Sequence, residues 1–185
     1  MIEAMKKVIV VGLSGAGKTT LANQLSAALN IRAIELDSIY HQADWKPLDR
    51  EVFIDKVNEI TAQKEWILCG NFFTALGKKL WKKADTIIWC DYPLPLVLWR
   101  LIRRTFYRGI TKQELWNGNK ESLLTNFFTK NSVILLTLRS WKKHKKRYGD
   151  IFDNHPDISN ATFVRLRSKK DTEKFLLTVS YKKLN

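Results

Sequence analysis

Cysteine is scarce in this chain: there are two among 185 residues, Cys69 and Cys90. Both sit in apolar runs and neither has metal-ligand spacing, which excludes a disulfide scaffold and a zinc module. Two buried thiols in a reducing cytosol are expected, so the location read from the sequence is cytoplasmic. Acidic residues are also few, 18 against 32 Lys and Arg, for a net charge of +14. That excess implies an anionic partner: phosphates, nucleic acid or a membrane surface. Long hydrophobic runs are missing. Val133-Ile134-Leu135-Leu136 is far below spanning length. Lys6-Lys7 followed by Val8–Val11 has the look of a signal peptide's start, but the run is short and enters a glycine loop with no cleavage site. No membrane partner is expected on these grounds. There is no internal repeat, low-complexity tract or interdomain linker, no DNA- or RNA-binding motif, and no Asn-Lys-x-Asp guanine signature.

What is present reads as one globular α/β domain over residues 1–185, with 45% hydrophobic and 27% charged residues. Val8–Val11 is β-branched throughout, the pattern of a strand buried on both faces. Leu21, Leu25, Ala28 and Leu29 then share a helix face beginning at Lys18. Further strands are expected at 33–36, 66–69, 86–90 and 162–166. Asp49 is a candidate N-cap for a helix whose apolar face is Val52, Phe53, Val57 and Ile60. Pro93 and Pro95 suit the first turn of a helix to about Tyr107. Two more helices follow, with a loop near Gly118-Asn119, and a last helix covers 171–178. Strands alternating with helices predict a parallel sheet covered on both faces. Segments 38–65 and about 105–128 read as insertions at the sheet edge.

Gly12-Leu13-Ser14-Gly15-Ala16-Gly17-Lys18-Thr19-Thr20 matches G-x-x-x-x-G-K-[ST]. Glycines let consecutive backbone N–H groups converge on an anion, and the following helix adds its positive end. Lys18 is placed to neutralise β- and γ-phosphates and the Thr19 hydroxyl to reach Mg²⁺. Chance alone produces the pattern in about one chain of this length in a hundred. Here it also follows a β-branched strand and opens an amphipathic helix. Glu35 and Asp37 lie 17 and 19 residues beyond Lys18. Arg100, Arg103 and Arg104 follow the fourth strand at a spacing that puts them on one helix face, whose plain reading is a solvated basic face.

Six segments, VGLSGAGKTTLA, IELDSIYHQADW, WILCGNF, ADTIIWCDYP, LWRLIRRT and VRLRSKKDTEKFL, are spread along the chain from Val11 to Leu176. Together they resemble the nucleoside monophosphate kinase and shikimate kinase superfamily, and within it the adenylate-kinase-related DNA topology modulation (FlaR-like) group. The resemblance implies a P-loop three-layer sandwich with a five-stranded parallel sheet in the order 2-3-1-4-5. It implies an acceptor-binding insertion after strand 2 and a mobile lid after strand 4. It places Asp37 on the acceptor hydroxyl or the metal's waters, with a helix N-cap as the plainer role. It places Glu35 near the metal, with a solvated surface acid as the alternative. Arg100, Arg103 and Arg104 match lid-base arginines that clamp the transferred phosphoryl, and Arg167 through Lys170 match the loop along adenine. Relatives read Asp-Gly-Asn where this chain has Cys69-Gly70-Asn71, and a thiol is a poor Mg²⁺ ligand.

The function expected is therefore an ATP- and Mg²⁺-dependent phosphotransferase acting on a nucleotide or small-molecule acceptor. The alternatives are a nucleotide-regulated nucleic-acid binder, suggested by the charge and the run Lys142–Arg147, and an ATP binder with reduced catalysis, suggested by Cys69. That run reads most simply as a solvated face at a helix end. Tyr40, Trp45, Phe72 and Phe73 could sandwich a ring or serve the core. His41 is expected at the surface.

Overall fold

The computed structural model describes residues 5–120, 132–154 and 160–184. Five strands, β1 (Lys7–Gly12), β2 (Ala33–Glu35), β3 (Trp66–Cys69), β4 (Thr86–Cys90) and β5 (Thr162–Leu166), form one sheet in the order β2-β3-β1-β4-β5. Every neighbouring pair is parallel, as expected for strands that are apolar on both faces. The period of two divides β1 between two cores. Val8 and Val10 meet Leu21 and Leu25 of α1 (Lys18–Leu29), and Phe175 and Val179 of α7 (Lys169–Leu184) join them. Ile9 and Val11 point the other way, into a cluster with Phe53 of α3 (Arg50–Thr61), Trp81 of α4 (Phe73–Trp81) and Tyr148 of α6 (Val133–Asn154). Trp81 and Tyr148 are stacked, 5.9 Å apart and 12° from parallel.

Local signals set the helix starts. Asp49 Oδ1 accepts hydrogen bonds from the amides of Glu51 and Val52, capping α3. Ser168 and Asp171 cap α7 reciprocally. The Ser168 hydroxyl accepts from Asp171 N, and the Asp171 carboxylate accepts from the amides of Arg167 and Ser168. The Ser168 hydrogen bonds and the Arg167 amide hold that carboxyl below its ordinary pKa.

Several expectations are corrected. The helix after β4, α5, spans Leu94–Thr111 and so outruns Tyr107. The last helix spans 169–184, not 171–178, because no Gly or Pro interrupts it. Helix α4 was not foreseen: Gly77 breaks its pattern, with φ at 61° inside the helix. Val52 is exposed rather than on the buried face of α3. The basic run 142–147 lies in the middle of α6, so it complements no helix end. Two of its members are committed elsewhere. Lys145 Nζ pairs with buried Asp91 at 2.8 and 2.9 Å, and Arg147 lies 5.7 Å over the Phe73 ring. Asp91 also accepts from Arg165 Nε at 2.9 Å, which satisfies the carboxylate on both oxygens.

Between β2 and β3 come α2 (Leu36–Tyr40), a 3₁₀ turn at Ala43–Trp45 and α3. After α5 the chain makes a second 3₁₀ turn, Trp116–Gly118, and the two turns are joined by side-chain amides. Asn119 is buried; it accepts from Trp45 N at 2.8 Å and donates to Gln42 O at 2.8 Å. Asn117 Nδ2 donates to His41 O at 2.6 Å and Ser38 O at 3.3 Å, satisfying carbonyls at the end of α2. Residues 121–128 of the expected lid lie outside the described residues.

Candidate phosphate-binding site

The loop 12–17 leaves the central strand and enters α1 through three glycines with positive φ: Gly12 at 149°, Gly15 at 83° and Gly17 at 86°. Gly15 is required twice over. Its φ disfavours any side chain, and a Cβ there would lie 2.6 Å from Val97 O of α5. The loop is therefore clamped between β1 and α5. Asn71, just past β3, fixes the entry: its Oδ1 accepts from Gly12 N at 3.0 Å and its Nδ2 donates to Gly12 O. That pair of hydrogen bonds to one residue is a positioning device which the sequence showed only as a residue after a strand.

Lys18 is the first residue of α1, and its Nζ donates to Leu13 O at 3.1 Å, folding back over the loop. Burial pushes its pKa below the ordinary value, opposed by the Asp37 carboxylate. A partly desolvated ammonium of this kind lacks a full counter-charge and would gain one from a phosphate. The Thr19 hydroxyl donates to Glu35 Oε2 at 3.1 Å. Glu35 ends β2 in register with Cys69 at the end of β3, so acid, hydroxyl and thiol meet at the carboxyl ends of these two strands. Desolvation, followed by the Glu35 charge, pushes the Cys69 thiol up to about 12. The thiol is neutral at pH 7, more firmly so than its residue type alone suggests. Asp37 sits in the first turn of α2 and its side chain caps no helix. Its Oδ1 is 4.0 Å from His41 Nε2. His41 is half-buried, not a bare surface histidine: it stacks on Trp116 at 14° and meets Tyr40 and Trp45 edge-on.

The arginines of α5 divide. Arg104 donates from its guanidinium to Ser14 Oγ at 3.3 Å. Arg100 lies over the Tyr92 ring at 4.8 Å, and its Nη1 would be 3.7 Å from a Cβ on Gly17. Both therefore reach the loop. Arg103 is exposed on another side of the helix and is not brought to it. Ala16 is buried beneath the loop, while Thr20 is exposed on α1. Arg167 is exposed beside the start of α7, and Lys169 and Lys170 are already helical rather than part of a loop. Of the aromatics, Tyr40, Phe53 and Phe72 pack on one another with centroids 4.9 to 5.4 Å apart, and Phe73 packs on Trp81. Their side chains are engaged in the core.

No family model and no curated protein matches the sequence. Solved structures do match over nearly the whole chain. The shikimate kinase of Acinetobacter baumannii in complex with shikimate is 19% identical, with a TM-score of 0.59, covering 100% of this chain and 98% of that one. The shikimate kinase of Bacteroides thetaiotaomicron is 14% identical, with a TM-score of 0.61, covering 98% and 99%. The chain has the P-loop kinase fold. A shikimate kinase from Aquifex aeolicus, 13% identical with a TM-score of 0.51, is similar over 96% of this chain and 98% of its own. In this kinase fold the loop 12–19 stands at the carboxyl ends of β1 and β4, where ligands of open α/β sheets bind.

The donor set fits a nucleotide's phosphates: a loop turned by three positive-φ glycines, a half-buried Lys18, and Arg100 and Arg104 against the loop. It fits Mg²⁺ only in part. Among the described residues no group of three or more His, Cys, Asp or Glu forms a metal cluster. A metal here would rest on Thr19, Glu35 and the nucleotide's own oxygens.

Proposed function

We propose that the chain is an ATP-dependent phosphotransferase that moves the γ-phosphoryl group to a hydroxyl of a small molecule or nucleotide. The observation that carries this reading is Lys18, half-buried and folded back over a glycine loop that Arg104 and Arg100 approach from α5. The loop amides and Lys18 bind the triphosphate. Asp37, beside Lys18, takes the proton of the acceptor hydroxyl. The hydroxyl oxygen forms a bond to the γ-phosphorus, and the bond from that phosphorus to the β,γ-bridging oxygen breaks. ADP leaves with the electron pair, and the two arginines balance the charge that builds on the equatorial oxygens. Mg²⁺, when bound through Thr19 with Glu35 nearby, neutralises phosphate charge.

The neighbours with shikimate bound or named suggest a hydroxylated small acid among acceptors to try. The finer likeness to the topology modulation group rests on the six sequence segments and supplies no acceptor. The test is ADP release with ATP and Mg²⁺ across hydroxylated acids, sugars, nucleosides and nucleoside monophosphates, screened first by thermal shift. One acceptor that multiplies ADP release over water supports the reading. ATP binding with no acceptor-stimulated release across all classes leaves a nucleotide binder instead.

The thiol at position 69 makes a further expectation. An oxygen ligand at those strand ends suits Mg²⁺ and a neutral thiol does not. Cys69→Asp is expected to lower the free Mg²⁺ giving half-maximal ATP turnover severalfold, and Glu35→Gln to raise it. Unchanged Mg²⁺ curves for both variants would remove these strand ends from the metal's surroundings.

A further inference from the structure

Helix α5 has two apolar sides. One carries Val97, Leu101 and Thr105 into the core, with Arg100 and Arg104 beside them at the phosphate loop. The other is open. Trp99 is 63% exposed, Phe106 55%, Tyr107 62% and Ile110 59%, with Ile102 also exposed. Their three- and four-residue spacing gathers them on one side of the helix over about 16 Å. A single exposed apolar side chain needs no explanation, but a contiguous row of five marks a contact surface. Helix α6, which packs against α5, adds exposed Leu135, Leu136 and Leu138 near its start.

The charge on these two helices is mostly positive. Helix α5 carries four arginines and no acid, and α6 carries six Lys and Arg against Asp150 and Asp153. Arg103 stands exposed beside the row itself, and Lys142, Lys143 and Lys146 are exposed on α6. A face that is apolar and aromatic, set in a cationic field, complements an anionic lipid bilayer. Its rings and aliphatic chains enter the interface while the basic groups meet headgroup phosphates.

We propose that the outward face of α5, from Trp99 to Ile110, docks this chain on an anionic membrane surface. The helix lies in the interface and does not cross it; no helix among the described residues is long and apolar enough to do so. An interfacial face needs no long apolar run, so run length does not bear on it. Two other occupants fit the observations less well. A second copy would bring Arg103 and the same cationic excess against themselves. A single-stranded nucleic acid could stack on Trp99, Phe106 and Tyr107, but it leaves Ile102, Ile110 and the leucines of α6 without an apolar environment. The inference does not depend on phosphotransfer. Docking uses the side of α5 opposite Arg104, so the loop stays accessible on the membrane.

The test is co-sedimentation of the full chain with vesicles of phosphatidylcholine alone and with about a third phosphatidylglycerol. Binding to the anionic vesicles only, weakened by added salt, is expected. The double variant Trp99→Ala/Phe106→Ala is expected to bind them about tenfold more weakly or worse. Its thermal unfolding and ATP binding are expected to match those of the parent, since neither ring is in the core. The proposal is overturned by any of three results: no binding to anionic vesicles, undiminished binding by the variant, or light scattering that shows a dimer which the variant abolishes. A single-stranded oligonucleotide that displaces the protein from vesicles and itself loses affinity for the variant would reassign the face to nucleic acid.

Discussion

Lys18→Ala is expected to lower ATP turnover by about 10²–10³-fold, the usual size for one lost charge-stabilising donor. The same substitution is expected to leave thermal stability unchanged or raise it. The reason is the side chain's setting without nucleotide. The residue is half-buried, desolvation pushes its pKa down, and its one hydrogen bond is to the loop carbonyl of Leu13. A charge kept in that state is held at a cost, which a phosphate would relieve. Alanine removes the cost together with the function. The pair of measurements is a turnover assay and an unfolding curve without nucleotide. A large fall in both would mean that Lys18 supports the loop's structure instead, and equal turnover would remove it from the chemistry.

The parts of this protein that were legible in its sequence are local ones. The loop 12–19 announces itself because the physical demands on it, positive φ and converging amides, fall on adjacent residues. β1 was readable because burial on both faces leaves a continuous β-branched run, and the α3 cap because Asp49 precedes the amides it binds. The sheet order followed from the resemblance rather than from any residue. What escaped is what depends on partners distant in the chain. Nothing near Asn119 signals that Trp45, 74 positions away, will donate to it. The two hydrogen bonds between Asn71 and Gly12 span 59 positions. The basic run 142–147 reads alike whether solvated or not, and only Asp91 and Phe73 distinguish Lys145 and Arg147 from their neighbours. Periodicity also could not tell which apolar side of α5 would be covered, since both carry large side chains.

The same limit applies to the arginines, and it sets up the last prediction. Spacing put Arg100, Arg103 and Arg104 on one face, yet three and four residues are separated by about 100° around a helix. The structure uses that difference: Arg104 reaches Ser14 Oγ at 3.3 Å, while Arg103 faces outward. Arg104→Ala is therefore expected to lower kcat on the order of 10²-fold with ATP affinity changed far less, because its contact strengthens as charge develops on the transferring group. Arg103→Ala is expected to leave both constants nearly unchanged. Arg104→Lys is expected to recover little, since an ammonium does not reproduce the guanidinium's forked donors. The measurements are kcat and KM for ATP in the three variants, with ATP affinity by direct titration. Should Arg103→Ala and Arg104→Ala behave alike, the outward side of α5 takes part in catalysis by closing over the site, and the division of the helix into a phosphate side and a docking side fails.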